Sequence, residues 1–409
     1  MINHKLKRMK KVLKSLIILS VILFAGCEED DVAVKYEVTV TVEYPEGYGE
    51  THAKGVTVKA KQVFSAAMNS AITDNSGVAT FNLEAGEYNF SVVHETEEFA
   101  FNGVLDGQSI ADKTSLSITF EAVRSEEDLV IKEIYYTGSR TPEGGRYYAD
   151  QFHEIYNNSD EVIYLDGLGI GLLQQTSSKE NIWVDGNGDF LRRLPLQFHV
   201  WFIPGNGTDH PLEPRTSIVI AQDGIDHKTD PDGNPDSPVN LGNADWESYC
   251  GDINGGKDAD AAGVPNLSLM HTNTTSMYDW LHSVFGAAVV IFRLPQGTDP
   301  VTWASDPANL STEPGSTSPR EYLMVPKEFV IDAVEVVRAE AEKQYKRLPN
   351  ELDAGKVWCS DTYVSKSVRR KVKQIIDGKV IYKDTNNSTE DFLGEQDPTP
   401  GVHPTVVDN

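Results

Sequence analysis

Cysteine is nearly absent from this sequence, with three in 409 residues, at positions 27, 250 and 359. That scarcity excludes a disulfide-stapled scaffold or a cysteine-rich zinc module, so burial of an ordinary core must hold the fold. Positive charge is also short. Lys and Arg total 36 against 62 Asp and Glu, for a formal charge of −26. So acidic a surface repels phosphate backbones and anionic headgroups, which argues against nucleic acid as a partner. Only one long apolar run occurs, Leu16 to Ala25, and it is too short to span a bilayer comfortably. Catalytic motifs are missing too. His94-Glu95 and His153-Glu154 begin like zinc-peptidase motifs, but no second His follows at the required spacing. There is no G-x-S-x-G elbow. Gly251 to Lys257 has phosphate-loop spacing, yet Asp258 stands where Ser or Thr must follow, and the stretch reads as a loop. Catalysis would need a site assembled in space from scattered histidines such as His199, His210, His227 and His271.

What is present begins with a leader. Lys5, Lys7, Arg8, Lys10, Lys11 and Lys14 precede the apolar run, and the chain turns acidic after Cys27, the pattern of a signal peptide over 1–26. Leu23-Phe24-Ala25-Gly26-Cys27 resembles the lipobox of bacterial lipoproteins. The resemblance implies cleavage before Cys27 and its acylation, each buried methylene adding about 0.8 kcal/mol of membrane affinity. Glu28, Glu29, Asp30 and Asp31 make residues 27–33 an acidic tether. They resemble the signal that sends Bacteroidota lipoproteins to the outer face of the outer membrane. Loss of the six leader cations would take the charge from −26 to −32. With Cys27 lipidated, Cys250 and Cys359 are left either to form one disulfide or to stand as two buried thiols.

Residues 34–124 predict a small β-sandwich. Val34, Tyr36, Val38, Val40 and Val42 alternate, and similar runs at 56–60, 78–81, 88–93 and 116–122 are separated by turn residues. The order "GVTVKA … AITDNSGVATFNLEAGEYNFSVV" resembles the prealbumin-like repeats of carboxypeptidase regulatory domains and pilin B-type domains. Thr73, Asp74, Gly77, Ala79, Phe81, Gly86, Tyr88 and Val92 carry that resemblance, which implies a stalk.

After a polar joint at 125–128, "LVIKEI … QFHEIYNNSDEVIYLDG" resembles the lamin-tail domain, an immunoglobulin-like sandwich, with His153 in place of an apolar residue and expected to face outward. The closing stretch "KSVRRKV … YKDTNNSTEDFLGEQDPTPG" resembles that family's ending, through Asp384, Thr385, Asn386, Asp391, Phe392, Pro398, Thr399, Pro400 and Gly401. The likeness brackets 128–403, with a large loop-rich insertion at about 171–325 that has strands near 198–203, 217–221 and 287–292. A helix is expected over 334–345 from the strong helix formers of VEVVRAEAEKQY. The fold class is therefore mainly β, two β-sandwich domains plus a short helix. Taken whole, the chain resembles an uncharacterised Bacteroidota lipoprotein family, domain of unknown function 4876.

Two acidic loops suggest calcium. Asp185, Asn187 and Asp189 present oxygens at alternate positions, and Asp230, Asp232, Asn234 and Asp236 form a denser run after Asp223, Asp226 and His227. Exposed polar turns would look the same. Trp183, Trp201, Trp246, Trp280 and Trp303 all fall in the insertion, where tryptophans either stack on sugars and partner proteins or anchor loops to the core. The leading expectation is a cell-surface binding or assembly protein, held by its lipid and serving an outer-membrane protein partner or an extracellular ligand. A calcium-dependent glycan or protein adhesin is the alternative, and a hydrolase the third.

Overall fold

The computed structural model describes residues 34–96, 98–124, 128–174, 176–339 and 344–408. The leader, Cys27 and the whole acidic tether lie outside the described residues. Strand occupies 41% of the chain and helix 5%, which makes the class mainly β.

Two sheets form the N-terminal unit. The strand Lys35–Glu43 sits between Val78–Glu84, antiparallel, and Thr114–Thr119, parallel. Opposite lies an antiparallel five-stranded sheet in the order Met68–Ile72, Thr57–Gln62, Gly86–Glu95, Phe99–Ile110, Glu121–Arg124. The alternation expected at the start of the chain is real. Val38, Val40 and Val42 are fully buried while their neighbours are not, so the period-2 pattern puts one face in the core. The Thr73-Asp74-Asn75-Ser76-Gly77 turn shows why those residues recur. Asp74 Oδ1 accepts from the backbone N–H groups of Ser76 and Val78 at 2.8 and 3.1 Å. Gly77 has φ +75°, and a Cβ there would lie 2.6 Å from the Val42 carbonyl oxygen, so only glycine fits.

The second unit is also built around two large sheets. A six-stranded sheet runs Trp246–Glu247, Ser217–Ala221, Phe152–Asn157, Leu129–Tyr135, Ser367–Arg370, Phe392–Gln396. The other runs Leu310–Thr312, Glu321–Pro326, Arg193–Phe202, Leu168–Leu173, Val289–Arg293, Val330–Val334, with Ser268–Thr272 also paired to Arg193–Phe202. Residues 171–325 are thus no excursion from a finished sandwich. They supply strands to both sheets, which their loop-rich composition hides.

Every residue of Leu129–Tyr135 and Phe152–Asn157 is buried, because the first sheet is covered on both faces. Ile131, Ile155 and Ile220 point at the second sheet. On the far side Tyr135, Phe152 and Val219 lie under Val239, Leu241 and Val264, and Val130 and Tyr156 lie under the hairpin Val372–Ile376/Lys379–Tyr382. His153 shares the inner face with Ile155 and is 3% exposed, so its expected outward orientation is wrong. It stacks on His282 and packs against Trp280.

The helix expected at 334–345 is also not there among the described residues. Val334 ends a strand, Val336 bridges Val357 in parallel, and both are fully buried with Val337. The Glu335 carboxylate accepts from the backbone N–H of Arg347 and of Leu348, 2.7 Å each. Burial of the β-branched residues overrides the helix preference of the following Ala and Glu. The short helices lie elsewhere, at Gly251–Asn254, Pro300–Ala304 and Ser388–Asp391.

Candidate functional site

The closing signature proves to be structural. Lys132 and Glu154, both 0% exposed, pair at 2.8 Å on adjacent strands, and Lys132 Nζ also donates to the Val402 carbonyl. Glu154 accepts from Gly401 N–H and Glu133 from Thr399, so the Pro398–Gly401 segment is stitched onto two buried carboxylates. Arg370 is buried among Asp332 at 2.5 Å and Asp384 at 2.8 Å, and its guanidinium lies 4.7 Å from the Phe392 ring centre. Asp391 accepts from Thr385 N–H, Thr385 Oγ1 and Asn387 N–H, which folds the 384–391 turn. Such a network is costly to break once buried.

That turn also holds the two units together. Lys59 pairs with Glu390 at 2.6 Å and Lys373 with Glu95 at 2.8 Å. Asn102, 1% exposed, donates to the Thr385 carbonyl and accepts from Asn387 Nδ2. Beside this seam the units enclose a cleft of about 550 Å³. Gln62, Phe64 and Met68 line one wall, and Gly355, Trp358 and Asn387 the other. Lys61 Nζ sits 5.6 Å from the Trp358 ring centre, across the seam. Phe64 is 64% exposed and holds φ +57°, a left-handed conformation that costs an aromatic residue of order 1–3 kcal/mol. Asn387 Oδ1 is buried and without a hydrogen-bond partner. A Cβ at Gly355 would lie 2.3 Å from that oxygen, so the glycine makes room for it. An aromatic ring with amide and charged side chains in a concave site is what a polar ring-shaped ligand needs.

The tryptophans singled out in the insertion are otherwise placed. Trp201, Trp246 and Trp280 belong to the main core, and Trp183 is buried beside Tyr322 with its Nε1 donating to Gln174. Trp303 is half-buried against a second core cluster and Phe329. A tryptophan carries so much apolar area that burial outweighs display in these loops. Trp358, the one outside the insertion, is the one at the cleft.

Among the described residues, neither acidic loop brings three carboxylate or imidazole groups within 4.8 Å of one another. Asp185 Oδ1 is taken by the backbone N–H groups of Asn187 and Asp189, and the loop is exposed. Asn234 is buried and donates to Ser139 Oγ and the Arg140 carbonyl, while Asp230 Oδ1 accepts from Asp232 N–H. Asp236 is exposed and gives its N–H to Asn234 Oδ1. Cys250 and Cys359 are two free buried thiols and form no disulfide, donating to the Ser248 and Ser367 carbonyls. Burial raises both thiols, Cys359 to about 12.

A different carboxylate group does converge. Asp223, Asp258 and Asp279 each bring an oxygen within 4.8 Å of the others. They come from three loops: after Ser217–Ala221, after the helix Gly251–Asn254, and before Val289–Arg293. Asp258 is aimed by the Cys250 N–H, which donates to its Oδ2 at 2.6 Å. The stretch with phosphate-loop spacing is therefore a short helix that points a carboxylate. Burial raises all three acids, and repulsion from the neighbouring carboxylates adds to it at Asp223 and Asp258, the latter reaching about 6. Sequence reading flagged Asp223 as a neighbour of the Asp230 run and passed over Asp279, which no local motif marks.

Each of the histidines weighed for catalysis is engaged separately. His199 meets Thr272, His227 meets Tyr147, His210 packs edge-on to Trp246, and His271 contacts the Glu321 carbonyl. Burial lowers His199 and His227 to about 4, so both are neutral near pH 7.

None of the curated proteins matches this chain. Solved pilins show slight likeness. The major pilin SpaD of Corynebacterium diphtheriae gives 9% identity, TM-score 0.17 and coverage of 36% of this chain and 42% of that one. A streptococcal ancillary pilin gives 12%, 0.16, 46% and 53%. A DUF4876 family protein from Bacteroides thetaiotaomicron is far more similar, at 28% identity and TM-score 0.60 over 91% of this chain and 98% of that one. Residues 213–399 match the family model described as Protein of unknown function (DUF4876), and that is the family to which this chain is similar.

Proposed function

We propose that the whole chain is a member of that family, acting as a lipid-anchored binding protein on the outer surface of the outer membrane. In this reading Cys27 carries the lipid, the prealbumin-like unit lifts the lamin-tail-like unit from the membrane, and the protein captures ligand for an outer-membrane partner. The observation that carries the reading is the cleft between the two units. It combines a tryptophan, an exposed strained phenylalanine and the polar side chains of Gln62, Glu87 and Lys356 in one concavity. Ring stacking on Trp358, with amides and carboxylates around it, fits a saccharide. The units are fixed by ion pairs and the Asn102–Asn387 contact, so the cleft is preorganised.

A glycan array probed with the full chain and with Trp358→Ala tests this. Saturable retention of one saccharide class, lost in the variant, is the expected result. Equal retention by both proteins, or none by the wild type, contradicts it.

A further inference from the structure

We infer that Asp223, Asp258 and Asp279, with the side-chain oxygen of Gln222, form a calcium site that ties three loops of the second unit together. The proposal stands apart from the cleft and does not depend on it.

The three carboxylate oxygens lie within 4.8 Å of one another. Oxygens held at about 2.3–2.6 Å by one calcium ion are separated by no more than about twice that distance, so the span is right. Like charges so close repel strongly unless protonated or shared with a cation. No Lys or Arg forms an ion pair with any of the three among the described residues. Three carboxylates and an amide oxygen are hard donors, with no sulfur or imidazole among them, which selects calcium or magnesium over zinc or copper.

Gln222 supplies the second and independent observation. It is 3% exposed, and its Oε1 is buried without a hydrogen-bond partner. Its amide N–H interacts with the Asp279 carboxylate, which places the amide at the cluster, and its backbone N–H is fixed to the Gln151 carbonyl. A buried amide oxygen left unpartnered costs about 1–3 kcal/mol, and with a cation among the carboxylates the amide would turn that oxygen onto it. Magnesium insists on a tighter octahedron and keeps more of its water, so three loops converging on one point suit calcium better.

The test uses the full chain in detergent, stripped with chelator and titrated with calcium and then magnesium by calorimetry and thermal unfolding. One calcium ion is expected to bind saturably and to raise Tm by several degrees. Asp279→Asn should weaken binding by about tenfold or more, and its chelated form should melt above chelated wild type because one repelling charge is gone. Terbium gives a readout that survives a modest change in stability. Trp280, next to Asp279, should sensitise terbium emission in the wild type, calcium should quench it, and Asp279→Asn should lose it. Absence of saturable calcium binding at millimolar concentration overturns the proposal. So does terbium emission retained in Asp279→Asn, or tighter binding of magnesium than of calcium.

Discussion

His153 and His282 show what single side chains settle in this molecule. Their Nε2 and Nδ1 atoms are 3.1 Å apart, and His282 Nε2 accepts from the Ala287 N–H. His282 therefore carries its proton on Nδ1 and donates to His153 Nε2, which leaves His153 protonated on Nδ1. Burial lowers both rings, His153 from its ordinary 6.5 to about 3. Because the folded value lies below the unfolded one, the neutral pair contributes its full stability above about pH 6.5. That contribution is lost as the pH falls through 6.5 toward 3, by up to about 1.4 kcal/mol per pH unit for each histidine. His153→Phe strands the His282 donor, so it should cost about 1–3 kcal/mol at pH 7 yet flatten the acid limb. Urea midpoints between pH 7 and 4 check this, and parallel slopes for the two proteins would refute it.

At the same scale, local chemistry was legible and convergent chemistry was not. Asp74 and Gly77 make contacts within a few residues or demand a special φ, so their roles can be read from order alone. Asp279 meets Asp223 and Asp258 only through the fold, and no spacing along the chain announces it. The tryptophans misled for a different reason, since a sequence shows that a residue is large and aromatic but not which way its loop packs.

Among elements, the first strand of the second unit carries the heaviest load. Lys132 and Glu133 are consecutive and fully buried, and they fasten the closing segment across the outer face of the sheet, Lys132 with Glu154 and Glu133 through Thr399. Lys132→Met should leave Glu154 without its cation and cost about 3–5 kcal/mol, with Lys132→Met/Glu154→Gln recovering much of that loss. Denaturant unfolding measures both, and a single-variant loss below about 1 kcal/mol would show the pair to be dispensable. The strand runs at 34–42 and 129–136 were legible because apolar periodicity decides them. The stretch 334–337 was not, because its helix-forming neighbours outvote three valines until Val289 and Val357 are in place beside them.

Over the whole molecule, the proposed ligand site follows from how the two units meet. One core draws on residues 38–120 and the others on 129–392, so each unit has its own interior. Their seam is polar, made of Lys59–Glu390, Lys373–Glu95 and the Asn102–Asn387 contact. Polar seams hold orientation without filling space, and the space beside this one is the cleft with Trp358 at its wall. Neither half of that site is recognisable alone, since Gln62 is an ordinary strand-end residue and Phe64 an ordinary loop residue until the second unit stands opposite.

Hydrogen exchange of the full chain, with and without a saccharide that it retains, tests this most directly. Protection should rise together in 59–64 and 354–358, the two walls of the cleft, and remain unchanged in the Trp-containing strands 193–202 and 246–247. Protection confined to one unit, or centred on the loops between 171 and 325, would contradict a ligand site at the seam.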